Sequence, residues 1–253
     1  MVKGPMEKSS RNRLMPRHAS LFKTESLFDR IARAVCRAGT LPRKELYESW
    51  ETARRVRRKY RGGRVVDLAC GHGLLAHILL ILDNGSDQAL AIDAKIPGNA
   101  RALSNSLTES WPRLENRIHY RQMLIQEVEI YPDDLVVSAH ACGSLTDLVI
   151  DKAVEAGARV AVLPCCHNLK TNSTGNLSNW MDGSLAIDTV RALGLASKGY
   201  AITAQKIPYT ITPKNRLLMG HPIASSAPQT SRENGNGNGP HYNSHKGVQN
   251  PPG

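Results

Sequence analysis

Asp67, Gly71 and Gly73 stand within "VVDLACGHGLLAHILLIL", residues 65 to 82, where an apolar strand-like run enters a glycine-rich turn and leaves as an amphipathic helix. Glycine lets backbone approach a ligand closely, and a helix start offers N–H groups that lack intrahelical partners. The turn departs from the usual dinucleotide pattern, with Ala69 in place of its first glycine and Ala76 in place of its last. Cys70, beside the turn, reads as a packing residue. Asp93 ends the next strand-like run, "ALAIDAK", where a carboxylate can accept both hydroxyls of a ribose. These residues point to a nucleotide cofactor, and both NAD and S-adenosylmethionine fit them.

The elements that must hold these residues follow from the hydrophobic periodicity. Strand-like runs occupy residues 64 to 70, 89 to 94, 117 to 122, 134 to 139, 159 to 164, 200 to 207 and 216 to 221. Helical patterns fall between most of them, at 73 to 82, 98 to 109, 144 to 156 and 183 to 194. Alternating strands and helices predict an α/β fold with a doubly wound, seven-stranded, mostly parallel sheet. Only "PYTITPKN" separates the last two runs, which predicts an antiparallel last strand. Two helices precede the sheet. One spans Ser26 to Ala38 with Gly39 as its stop, and the other begins near Pro42 with Leu46, Trp50, Ala53 and Val56 along one stripe.

Hydrophobic residues make up 41% of the 253, enough for one sizeable core. No apolar run approaches the about 18 residues that a membrane span needs, so no membrane partner is expected. Five cysteines without a CxxC pair read as reduced thiols in a cytoplasmic setting. The net charge of +11 is concentrated: residues 1 to 64 hold 18 Lys and Arg against six acids, whereas the remainder holds 15 against 16. The densest run, "ARRVRRKYRGGR" from Ala53 to Arg64, could track RNA phosphates or could form a solvated helix face. The expected organisation is a flexible basic segment over 1–20, a basic helical extension over 21–63, the sheet domain over 64–223 and a disordered tail over 224–253. His241 and His245 in that tail are not expected to be ligands.

"VVDLACGHG" followed by "LAIDAK" resembles motifs one and two of class I S-adenosylmethionine-dependent methyltransferases, over roughly residues 60 to 222. The resemblance implies a Rossmann-like sheet, a role for Asp67 in positioning the cofactor's methionine amino group, and a role for Asp93 in holding its ribose. Ala69, Cys70, Gly71 and Gly73 would line the same cofactor. Two further stretches, "VVSAHACGSLTDLVI" from Val136 and "VAVLPCCHNLK" from Val160, resemble segments of the tRNA ribose 2′-O-methyltransferases that modify the acceptor stem, and also a broader methyltransferase-like group. The match aligns Ser138, His140, Cys142, Gly143, Thr146 and Asp147, then Cys165, Cys166 and His167. It departs at Ala139, where that family has lysine, at Asn168, where it has a second histidine, and in lacking the family's N-terminal zinc-binding cysteines. RNA, a small molecule and a protein are the acceptor classes in view, with a non-catalytic binding protein on the same fold as the alternative.

Methyl transfer to a hydroxyl or amine requires placement of the nucleophile and, where a proton must leave, a base. His140, at the end of the fourth strand, is the first candidate for that base, with a structural histidine as the alternative. Asp147 could orient it or could serve the dipole of the helix that follows. Cys142 and His167 complete the candidate catalytic group, and Ser138 joins the cofactor-binding residues. Adjacent Cys165 and Cys166 should project poorly toward one ion, so a metal site is not expected. The segment His167 to Gly183 is long for a strand-to-helix loop, and Trp180 within it could stack on a base or tuck onto the core.

Overall fold

The computed structural model describes residues 7–223; the expected tail, with His241 and His245, and residues 1–6 lie outside the described residues. The chain opens with α1 (Leu27–Ala38) and α2 (Arg43–Lys59), then alternates through β1 (Val65–Leu68), α3 (Leu74–Leu82), β2 (Ala89–Asp93), α4 (Ala100–Ser110), β3 (Ile118–Gln122), β4 (Leu135–Ser138), α5 (Ser144–Glu155) and β5 (Arg159–Val162). It ends with α6 (Gly183–Ser197), β6 (Tyr200–Lys206) and β7 (Arg216–Pro222). One sheet results, in the order β3-β2-β1-β4-β5-β7-β6. β1 to β5 pair in parallel, while β7 lies antiparallel between β5 and β6. This is the doubly wound architecture that the alternating pattern predicts.

The strands alternate their side chains between two apolar layers. Val65, Leu135, Val137 and Ala161 join the core beneath α1 to α4, whereas Val66, Val136 and Val160 join the core shared with α5 and α6. β1, a central strand, is buried at every position, as expected for a parallel strand covered on both faces. Local signals set the helix ends. Ser26 accepts the Asp29 N–H at the start of α1, Gly39 closes it at φ 64°, and Asp182 accepts the Leu185 N–H at the start of α6.

The N-terminal segment differs from its expected looseness over residues 7–20. Leu14 is fully buried, its N–H donates to Leu41 O at 2.8 Å, and Arg13 bridges to Pro42. One apolar side chain in a basic context thus anchors the segment to the start of α2. The basic run is also tied inward. Arg57 is 2% exposed, its Nε donates to Leu79 O at 3.1 Å and its Nη2 to Ser86 Oγ at 2.8 Å. Its Nη1 lies 3.0 Å from Asp83 Oδ2 as an ion pair outside hydrogen-bond alignment. Arg54 and Arg55 both pair with Glu51. Arg57 is therefore neither a phosphate contact nor part of a solvated face, which leaves Arg58 and Lys59 as the exposed charges at the end of α2.

The direction of α2 matters for function. Its C-terminal end packs beside Asp83, just past the end of α3, and leads to Arg64, which pairs with Asp134 ahead of β4. These positions lie at the edge where the parallel strands begin. Ligands of open α/β sheets bind at the opposite edge. Among the described residues no helix is long and apolar enough to cross a membrane.

Candidate active site

Strand order reverses between β1 and β4, so the loops that leave their C-terminal ends part and open a crevice. A cleft of about 480 Å³ lies there, lined by Asp67 near the end of β1 and Ala69, Cys70 and Gly71 after it, by Asp93 at the end of β2, and by Ala139 and His140 after β4. Leu41, Glu45 and Ser49, from the start of α2 and the residues before it, close its remaining side. No sequence motif marks this wall. Glu45 and Ser49 are one helical turn apart, a polar spacing that gains meaning only once α2 is seen to lie over the cleft.

The turn after β1 is shaped by unusual backbone. Ala69 holds φ at 56°, a left-handed conformation that costs a non-glycine residue energy, and Gly71 follows at 53°. A Cβ on Gly71 would meet nothing within 4 Å, so its open side faces the cleft. Two backbone bonds close the turn: the Cys70 N–H donates to Ile92 O at 3.0 Å, and the Gly73 N–H donates to Cys70 O at 2.8 Å. Gly73, at φ 74°, starts α3 from a place away from the cleft lining. A Cβ there would press on the Tyr120 hydroxyl at 3.0 Å, and that hydroxyl donates to His72 O at 2.7 Å. His77 behind it is buried, with Nδ1 donating to Gly73 O at 2.7 Å; burial pulls it down to about 4, against the opposing effect of that carbonyl.

The two carboxylates differ in setting. Asp67 is 2% exposed, and its Oδ2 accepts the Ala76 N–H at 3.2 Å. Burial pushes its carboxyl up to about 8, the Ala76 bond pulls it back, and the nearby Asp93 charge raises it further. Asp93 lies at the rim, accepting the Gly71 N–H at 2.9 Å and the Lys95 N–H at 3.1 Å. Burial, and then the Asp67 and Asp93 charges, hold the Cys70 thiol well above its usual range. Ser138 ends β4 and is buried, and its Oγ accepts the Ala141 N–H at 3.2 Å, which commits the hydroxyl to the turn that follows rather than to the cleft wall.

A second cavity of about 360 Å³ adjoins the first, and His140 and Glu45 line both. Arg11, Lys44, Glu48, Cys165, Cys166 and Lys214 also line it. Glu48 is 2% exposed; its Oε1 pairs with Lys44 Nζ at 2.7 Å, while its Oε2 has no hydrogen-bond partner among the described residues.

Asp147 and His167 are engaged elsewhere. Asp147 accepts Arg191 Nε at 2.6 Å and Asn172 Nδ2 at 2.7 Å, so Arg191 and Asn172, not His140, are its bonded partners. His167 Nε2 lies 2.8 Å from Asp188 Oδ1, and Asp188 also pairs with Arg191 and Arg216. Burial, the largest influence on Asp188, raises it, but the bonds from His167 and Arg216 outweigh burial and hold it below the usual carboxylate range. This network braces α6 against the loops after β4 and β5. Adjacent Cys165 and Cys166, expected to diverge, leave β5 in irregular backbone, and their sulfurs lie 3.8 Å apart. Cys142 Sγ lies 2.9 Å from Cys165 Sγ. Trp180 is 85% exposed, which corrects the alternative that tucks it onto the core.

A family model described as a methyltransferase domain matches residues 44–172. A glutathione S-transferase C-terminal domain-containing protein homolog from Drosophila pseudoobscura pseudoobscura is 26% identical over 199 residues, 63% of this chain and 33% of that protein. The chain thus spans about a third of the length of that curated relative. Among solved structures, an O-methyltransferase family protein from Burkholderia thailandensis is similar with a TM-score of 0.47 and 17% identity, covering 85% of this chain and 66% of that one. Magnesium protoporphyrin IX methyltransferase from Synechocystis, solved with bound SAH, gives a TM-score of 0.42 at 14% identity, covering 71% of this chain and 83% of that one. Since the family match runs from α2 through β5 and takes in Asp67, Asp93 and His140, the chain belongs to the methyltransferase domain family.

Proposed function

We propose that the protein is an S-adenosylmethionine-dependent methyltransferase whose cleft takes the methyl donor and whose second cavity takes the acceptor. The observation that carries this reading is that His140 lines both spaces. The donor set fits the cofactor. Asp67 is a buried carboxyl suited to an ammonium group, and Asp93 at the neighbouring strand end is suited to a ribose diol. A dinucleotide pyrophosphate at this turn would instead find the Gly71 N–H already donated to the Asp93 carboxylate, whose negative charge disfavours a phosphate beside it. When bound, S-adenosylmethionine supplies a sulfonium methyl group.

The chain's own residues then hold and prepare the acceptor. His140 takes the proton of an acceptor hydroxyl or amine as the new bond forms. The unpartnered Glu48 Oε2 accepts a hydrogen bond from an N–H or O–H of the acceptor. Leu41, Glu45 and Ser49 cover the cleft and limit water at the reacting atoms. Cys142 Sγ sits against Cys165, which lines the cavity.

An acceptor carrying phosphate, such as a tRNA-like RNA, is a second reading, supported by Arg11, Lys44 and Lys214 at the second cavity. The run Arg54 to Lys59 does not support it: much of it is internally paired, and it lies at the opposite edge. Incubation with labelled S-adenosylmethionine and separated RNA, protein and metabolite fractions tests both readings. Label in one fraction, lost with His140→Ala, supports the assignment and names the class; no transfer to any fraction by a protein that binds the cofactor would contradict a catalytic role.

A further inference from the structure

Cys142, Cys165 and Cys166 place three sulfurs within 4.8 Å of one another at the ends of two neighbouring parallel strands. The pairs Cys142–Cys165 and Cys165–Cys166 lie at 2.9 and 3.8 Å. Three thiolates about 2.3 Å from a tetrahedral ion would be separated by about 3.8 Å, so the cluster needs shifts of an ångström or less to hold one. We propose that these three cysteines bind a thiophilic d10 metal ion, zinc by class, with the fourth coordination position open to the cavity that His140 and Lys214 line.

The surrounding backbone holds the cluster ready. The Gly143 N–H donates to Cys166 O at 3.0 Å, tying the two cysteine loops directly to each other. Gly143 itself takes φ 59° and ψ −126°, backbone that favours glycine and swings Cys142 toward β5. Arg191 donates to Gly143 O at 3.0 Å while also pairing with Asp147, so the charged network around α6 fixes the same loop. Soft sulfur ligands select zinc and similar ions over magnesium or calcium. Each thiol gives its proton to solvent as its sulfur lone pair takes up the metal, so no oxidant or reductant is needed. Three thiolates on a divalent ion leave one net negative charge, and Lys214 on the same cavity wall offsets it. A three-ligand site with an open fourth place is the arrangement of catalytic rather than structural zinc. The ion would face the acceptor, not the cleft that holds Asp67 and Asp93.

Metal binding is measured independently of methyl transfer. Full-length protein, purified under reductant, is stripped with chelator, dialysed and reloaded with zinc or cobalt(II). The expected results are about one zinc per chain, a cobalt spectrum with strong thiolate charge-transfer bands, and tetrahedral ligand-field bands. Cys142→Ser, Cys165→Ser and Cys166→Ser should each lower affinity by 10-fold or more, and Cys36→Ser, at a buried thiol outside the cluster, should leave it unchanged. Circular dichroism of each variant separates ligand loss from unfolding, and a Cys142→Ala/Cys165→Ala double variant that stays folded and keeps its metal would overturn the site. So would substoichiometric metal after reloading, or a Cys142–Cys165 disulfide that persists in the reduced protein.

Discussion

The Asp93 carboxylate accepts the Gly71 N–H at 2.9 Å, so the end of β2 directly holds the turn that follows β1. The same carboxylate lines the cleft, and one side chain both shapes the turn and offers acceptors to a ligand. Asp93→Asn should keep much of the turn while weakening cofactor binding by about 1 to 3 kcal/mol, roughly 5- to 150-fold. Competition titrations with S-adenosylhomocysteine check this, and unchanged affinity would place the ribose elsewhere.

Asp67 links cofactor binding to proton release. Its carboxyl, raised to about 8 by burial, carries a proton at neutral pH in the free protein. An ammonium group brought beside it favours the ionised form. Binding near pH 7 should therefore release close to one proton, and the release should fade above the free-state value. Calorimetry in buffers of different ionisation enthalpy measures it, and Asp67→Asn should abolish it.

Stability should respond to pH through two buried groups of opposite sign. His77 is lowered from 6.5 to about 4 in the folded chain. The unfolded chain binds more protons between those values, so stability falls on acidification through that window. Asp67 is raised from 3.8 to about 8, so the folded chain holds the extra proton and stability falls as pH rises through that window. Above about pH 6.5 the Asp67 effect acts without the His77 effect. Urea midpoints should decline from there to about pH 8, and Asp67→Asn should remove the decline.

Arg57 is a structural tie, and its loss should show as instability rather than altered RNA binding. Arg57→Ala leaves Asp83, 9% exposed, without its buried partner, at a cost of about 3 to 5 kcal/mol. Replacing the exposed Arg58 and Lys59 by glutamine should change stability by about 0.5 kcal/mol or less. If RNA is the acceptor, Lys214→Gln should flatten the salt dependence of its affinity by about one unit, and the Arg58/Lys59 pair should leave it unchanged.

The sheet was legible because its strands are short apolar runs separated by amphipathic helices, and glycines mark the turn that follows Asp67 and is held by Asp93. Burial of Arg57 was not legible, since an arginine within a basic run reads as solvated until Asp83 arrives from the end of α3. Leu14 was similarly hidden within a basic segment. The second cavity gathers Arg11, Glu48, His140, Cys165 and Lys214 from separate parts of the chain, and no local spacing announces such a meeting. His167 reads as a pocket residue from its place after β5, but the carboxylate of Asp188 on α6 draws it inward. The proximity of Cys142 and Cys165 follows from the pairing of Ser138 with Val162, a register that periodicity alone does not set.

His140 is the residue on which the catalytic account turns. His140→Ala should lower turnover by roughly 10² to 10⁴ while the affinity for S-adenosylhomocysteine stays nearly intact. Normal turnover combined with lost thermal stability would make the histidine structural.

Whether the cleft holds S-adenosylmethionine is decided by calorimetric titration of the protein with S-adenosylhomocysteine and, separately, with NADH. Saturable one-to-one binding of S-adenosylhomocysteine, weakened by Asp93→Asn, is expected, with no measurable binding of NADH. Tight binding of NADH with no heat from S-adenosylhomocysteine would contradict this assignment of the cleft.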